Sequence, residues 1–230
     1  VSPTDSAAPE PQKKPLDPAQ RFNLPTRWAM FFIGIYIMSF AIAMTVHVGL
    51  GTTTISAIPA VWSFISPLSV GTTTILFNVI LIIGQMIVLR KDFKMNMFIQ
   101  LLWAFVFGFL CDLNLLVTGW AETDNYILAW VWVISATLLM SIGVFIQVLP
   151  NITYIAGEGF VYALVRKFPS MQFGSMKQIV DWTLVIIAGI ISLIAMGELV
   201  GVREGTIFAA FFIGFFVKQW RKLCLRSIGY

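Results

Sequence analysis

Residues 49–66 read GLGTTTISAIPAVWSFIS, and the length of the helix inside them decides how the rest of the chain is laid out. Their apolar part, 54–66, predicts a helix of 13 residues. At ~1.5 Å per residue such a helix measures about 20 Å, against a bilayer hydrocarbon core of about 30 Å, so it is too short to cross. A second stretch of the same kind, 154–166 (YIAGEGFVYALVR), follows in the second half of the chain. Around these two lie six segments long and apolar enough to span: 28–48, 71–90, 95–113, 126–149, 175–198 and 205–220. The last is short, but Lys218 and Arg221 can snorkel to the interface.

Composition agrees with a lipid solvent. Of 230 residues, 58% are hydrophobic and only 11% charged, where soluble domains carry about 25% charged residues. The net charge of +4 comes from short basic groups between apolar runs, which read as topology signals and not as a nucleic-acid patch. Two cysteines, Cys111 and Cys224, make neither a disulfide framework nor a CxxC site. Residues 1–24 are rich in Pro, Ala, Ser and charge without apolar periodicity, and predict a disordered cytoplasmic tail. A signal peptide is not expected, because the first apolar run is too long and no small-residue cleavage site follows it.

The distribution of Lys and Arg sets the orientation. If 54–66 and 154–166 do not cross and the N-terminus is inside, 14 of the 15 Lys and Arg residues fall on the cytoplasmic side and Arg203 alone falls outside. If 54–66 crossed, Arg90, Lys91 and Lys94 would lie outside. Both termini are therefore expected on the cytoplasmic side of the membrane.

Each half then reads span, short helix, span, span. The halves also match at offsets of 100 to 103: His47-Val48 with Gln147-Val148, Thr53 with Thr153, Ile55 with Ile155, Pro67 with Pro169, Gly71 with Gly174, and Asn78 with Asp181. Three crossings per half invert the second half relative to the first. The expected fold is an all-α membrane protein of six transmembrane helices, arranged as two inverted three-span repeats, each with a short re-entrant half-helix. The first repeat covers 25–114 and an outer loop 115–125; the second covers 126–222, and 223–230 form a cytoplasmic C-terminus.

The short helices place chemistry at depth. The loop Gly49 to Thr53 is long enough to dip about halfway into the membrane, bringing the helix start at Thr52 to Thr54 near the midplane. The inverted copy brings Asn151 to Tyr154 there from the other side. Gly51-Thr52-Thr53-Thr54 and Gly71-Thr72-Thr73-Thr74 are two copies of GTTT at helix starts. Such a start offers backbone N–H and hydroxyl groups to an anion, and Thr capping is its plainer reading, preferred for Gly71 to Thr74. Glu158 and Asp181 are the acids expected within membrane depth, where ionisable groups are costly and mark coupling or binding sites. Plainer readings exist for both: Lys177 lies four residues before Asp181, and Glu158 sits where it offsets its own helix start. Asn78, Gln85, His47 and Gln147 are polar positions in spans that also serve to bond neighbouring helices. The candidate solute-binding set is Gly51, Thr52, Thr53, Thr54, Asn78, Asn151, Thr153, Glu158 and Asp181. No enzyme is expected: there is one histidine, and no HExxH, GxSxG or P-loop. No cofactor or metal site is expected either.

The chain also resembles the bacterial YczE/YyaS/YitT group of small integral membrane proteins over about residues 27–222. The likeness rests on Gly49-Leu50-Gly51-Thr52 after the first span, Ser69-Val70-Gly71-Thr72 at the second, and Gly201 to Thr206 before the last. It implies a location in the bacterial cell (inner) membrane, and transport. The expected function is a transporter or facilitator for a small anionic or zwitterionic solute, with Glu158 or Asp181 taking a proton or a substrate amine. A passive channel and a non-transporting membrane partner are the alternatives. The expected partners are the bilayer and a small-molecule solute, compatible with a homo-oligomer; nucleic acid is not one.

Overall fold

Ser69 and Asn125 show how the long helices begin. Ser69 Oγ accepts from the N–H of Thr72 at 3.0 Å, and Asn125 Oδ1 accepts from Ile127 and Leu128 at 3.0 and 3.2 Å. Each satisfies first-turn donors that the helix itself leaves open. At the other end, Gly49 and Gly197 take the left-handed conformation, at φ 73° and 75°, and stop the helices before them. The computed structural model describes residues 22–227, and the described residues contain helices and turns. Most of the expected tail (1–21) and residues 228–230 lie outside them.

Eight helices follow in order: α1 Leu24–Val48, α2 Ala57–Ile65, α3 Val70–Leu89, α4 Ile99–Val117, α5 Tyr126–Val148, α6 Ala156–Lys167, α7 Phe173–Met196 and α8 Glu204–Ser227. A 3₁₀ turn, Thr54–Ser56, leads into α2, and two more, Arg90–Asp92 and Met95–Phe98, join α3 to α4. Five helices are long and apolar enough to cross a membrane: α1, α3, α4, α5 and α7. The sixth expected span falls within α8. That helix is longer than expected at 24 residues and absorbs much of the expected free C-terminus. Its second half carries Lys218, Arg221, Lys222 and Arg226, so it is less apolar throughout than the other five.

Large apolar side chains face outward along these helices. Leu116 is 85% exposed and Ile194 82%, with Ile33, Ile80, Ile87 and Ile127 also open. Exposure on this scale suits lipid, which is as apolar as the side chains themselves. Inside, Phe31, Ile35, Met38 and Ile42 of α1 are fully buried with Met140 and Val144 of α5 and Ile213 of α8. Packing, not hydrophobic transfer, is what such contacts contribute in a bilayer.

The helix contacts come in corresponding pairs. α1 packs on α5; α1 packs on α4 as α5 does on α8; α3 packs on α4 as α7 does on α8. The short helices follow suit, α2 against α3 and α7, α6 against α7 and α3.

Candidate functional site

The start of α6 and the first half of α7 meet in the centre of this packing. α7 carries Lys177 and Asp181 one turn apart, on one helix face. Lys177 Nζ donates to Asp181 Oδ1 at 2.8 Å, with the side chains 2% and 0% exposed. Glu158, third residue of α6, is also fully buried and lies within electrostatic reach of both. Neither of its carboxylate oxygens makes a hydrogen bond of ordinary geometry among the described residues, although its own backbone N–H lies close enough to interact with the carboxylate. Asp181 Oδ2 is likewise unpartnered; Thr54 Oγ1 lies close enough to interact with Asp181 but makes no hydrogen bond of ordinary geometry. Three ionisable side chains are thus gathered where an unpaired charge is expensive.

The two short helices begin side by side here. Ile55, at the entry to α2, lies against Gly157 at the start of α6 so closely that a Cβ on Gly157 would overlap its side chain. A small cavity beside them is lined by Ile55, Ser56, Thr74, Asn78, Ile155 and Glu158. It leaves about 10 Å³ for the centre of a water molecule, room for about one. Wider openings of ≈ 390 and ≈ 350 Å³ lie at opposite ends of the bundle. The first is lined by Gly49, Gly51, Thr52, Glu198 and Arg203, the second by Gln85, Gln100, Gly159, Tyr162 and Arg166.

The sequence-predicted residues divide between centre and edge. Thr53, Thr54, Asn78, Glu158 and Asp181 are buried around the centre, and Asn78 Nδ2 donates to Thr74 O at 2.8 Å. Gly51 and Thr52 are buried nearer one end, where Thr52 N–H donates to Gly201 O (3.1 Å) and Gly205 N–H to Leu50 O (2.9 Å). The backbone donor of Thr52 is therefore already spent on the loop before α8. Thr53 Oγ1 shares a hydrogen bond with Ser56 Oγ at 2.7 Å. Asn151 and Thr153 are not brought to the centre: Asn151 is exposed and accepts from the Tyr154 hydroxyl, and Thr153 is half-buried. Proline 150 is held nearby, its carbonyl accepting from Arg27 Nη2 at 2.7 Å.

Three positions differ from expectation. Lys177, counted among the cytoplasmic cations, is buried in the centre; the acid four residues later in an apolar stretch was the signal. Asp112 of α4 accepts from Gly71 N–H and Ser69 Oγ, both at 2.8 Å. Gly71 is accordingly more than a helix start, since a Cβ there would overlap Gly108 O and Asp112. Gln147, expected to bond a neighbouring helix, has no hydrogen-bond partner for its amide among the described residues, whereas His47 meets Leu115 O on α4 at 2.8 Å. The Gln85–Gln100 pair (2.8 and 3.1 Å) ties α3 to α4, and Gln85 also donates to Ala156 O at the start of α6. Among the described residues no group of three His, Cys, Asp or Glu gathers as a metal requires.

Long apolar helices with lipid-facing side chains, closed over a buried ionisable centre, define an integral membrane protein with several membrane-spanning helices. The chain belongs to the family of unknown function DUF6198, whose model matches residues 25–222. The match agrees at the family level with the likeness carried by the Gly49 to Thr52 and Ser69 to Thr72 motifs. No curated protein and no solved structure matches the chain.

Proposed function

We propose that this protein is a proton-coupled transporter or facilitator for a small anionic or zwitterionic solute, not an enzyme. In this reading it has six spans in two inverted repeats, and α2 and α6 are re-entrant half-helices. The pairwise helix contacts support the repeat, since exchanging α1–α4 for α5–α8 maps the main helix pairs onto one another. So does a pair of glycine crossings: Gly71 of α3 meets Gly108 of α4, and Gly174 of α7 meets Gly214 of α8, at opposite ends of the bundle. The re-entrant reading draws on the meeting of Ile55 with Gly157, followed by the return of α6 to the end where Arg166 faces Asp92 at 3.8 Å. The charge distribution supports cytoplasmic termini.

The observation that carries the function is Glu158, a fully buried carboxylate whose oxygens make no hydrogen bond of ordinary geometry among the described residues. Lys177, the cation that acts on it among the described residues, is already bonded to Asp181. Ionisable groups persist at such depth where a proton or a solute engages them. Glu158 is the proton carrier in this scheme, and the Lys177–Asp181 pair is the fixed partner that keeps its surroundings polar. Two openings at opposite ends with a closed centre between them suit alternating access better than an open pore.

The test is flux. The full chain is reconstituted in vesicles that trap a pH-sensitive dye, and small amino acids and carboxylates are added outside. Solute-driven proton movement is expected for the wild type and not for Glu158→Gln. Solute entry without proton movement would favour a passive channel, and no entry of any solute a non-transporting partner.

A further inference from the structure

Where α7 crosses α8, the outer surface of the bundle is not smooth. A groove of ≈ 500 Å³ opens there, lined by Phe211, Phe212 and Phe215 of α8 on its apolar side and by Ser175, Gln178 and Lys218 on its polar side. The crossing itself makes the groove: a Cβ on Gly214 would lie 2.9 Å from Gly174 O, so the backbones touch and the larger side chains beside them stand apart. Phe211 and Phe215 are 51% and 47% exposed and face the same surroundings as the lipid-facing isoleucines. Lys218 is exposed, and among the described residues no carboxylate pairs with it. Its Cα and Cβ lie over Gly174, the second residue of α7, and the three Phe residues lie one to two turns from it along α8.

We infer that this groove is a binding site for an anionic phospholipid, with the headgroup phosphate on Lys218 and Ser175 and one acyl chain along Phe211, Phe212 and Phe215. Charge complementarity selects this occupant: an amphiphile with one negative end and one apolar end matches a groove with one cation and a Phe wall. Arg221 and Lys222, one turn beyond Lys218 on α8, extend the positive field toward the aqueous phase. The equivalent crossing of α3 and α4 supports the assignment. There the protein supplies its own anion, Asp112, to the start of α3; at the start of α7 the corresponding place is taken by Lys218, and the side chain of Gln172 makes no cap.

Native mass spectrometry of the full chain released from detergent tests this, with dioleoylphosphatidylglycerol and dioleoylphosphatidylcholine titrated separately. The wild type is expected to retain the anionic lipid about fivefold better, the effect of one basic residue near a headgroup. Lys218→Gln should remove that preference, whereas Lys91→Gln, an exposed cation elsewhere at the same end, should keep it. Phe215→Ala should weaken retention of both lipids. Equal retention of the two lipids by the wild type, or an unchanged preference in Lys218→Gln, would overturn the assignment. A lipid-free dimer that disappears in Phe215→Ala would overturn it too, by showing that a second copy of the chain covers the groove.

Discussion

Lys177, Asp181 and Glu158 are three residues with distinct roles, and substitution separates them. Glu158→Gln keeps the side-chain shape and removes an ionisable group that makes no hydrogen bond of ordinary geometry among the described residues. The variant should fold with a melting temperature near that of the wild type while losing solute-driven proton movement. A flux profile across pH identical to the wild type would make Glu158 structural. Lys177→Met does the reverse. It leaves Asp181 buried without its cation, which costs about 3–5 kcal/mol when a buried pair is broken from one side. Thermal unfolding in detergent should show a large loss for Lys177→Met and a recovery in the Lys177→Met/Asp181→Leu double variant, where neither charge remains. A single variant as stable as the wild type would mean that the pair contributes little to holding α7 in place.

Among the elements, the helix starts respond to glycine replacement for different reasons. At Gly51 the backbone has φ 97°, a conformation L-residues rarely adopt, and the position is crowded by Thr206 and the Arg203 backbone. At Gly71 the dihedrals are ordinary, and the obstacle is the backbone of α4 at Gly108. The motif alone predicts that Gly71 tolerates a larger side chain because it only starts a helix. The crossing with Gly108 predicts otherwise. Gly71→Leu should destabilise by about 1–3 kcal/mol or more through overpacking, comparably to Gly51→Leu, while Gly119→Ala, with open space around it, should be neutral. Melting temperatures of the three variants in one detergent decide the matter; a Gly71→Leu protein as stable as Gly119→Ala would remove the crossing as a structural contact. The 3₁₀ turn at Thr54–Ser56 belongs to the same scale: it tightens the entry to α2, so the helix proper is 9 residues where the apolar run suggests 13.

For the whole molecule, the orientation proposal places the two ends of α4 on opposite sides of the membrane. In a background without Cys111 and Cys224, Glu122→Cys should react with an impermeant maleimide added outside intact cells, and Lys91→Cys only after permeabilisation. Labelling of both from one side would remove α4 as a crossing and the inverted repeat with it; the opposite sidedness would turn the protein over. The two native cysteines are free in the structure, with Cys111 buried, so treatment with a reductant should leave the intact mass unchanged.

What the sequence determined by itself was whatever depends on neighbours along the chain. Hydropathy over some twenty residues located the long helices, because crossing a bilayer is a demand each segment meets alone. The 13-residue length of 54–66 marked it as unable to cross, and the one-turn spacing of Lys177 and Asp181 announced their pairing. The likeness of family was legible for the same reason, in short motifs at helix starts. Tertiary structure decided everything that joins distant parts of the chain. Nothing local places Glu158 beside Lys177 and Asp181, or leaves Asn151 and Thr153 out of that centre while Thr53 and Thr54 are in it. Nothing local reveals that Gly71 meets Gly108, that Asp112 caps α3, or that Lys218 stands over the start of α7. Each of these follows from which faces two helices turn toward each other, and in a chain apolar on nearly every face the pattern of residues leaves that choice open until the helices pack.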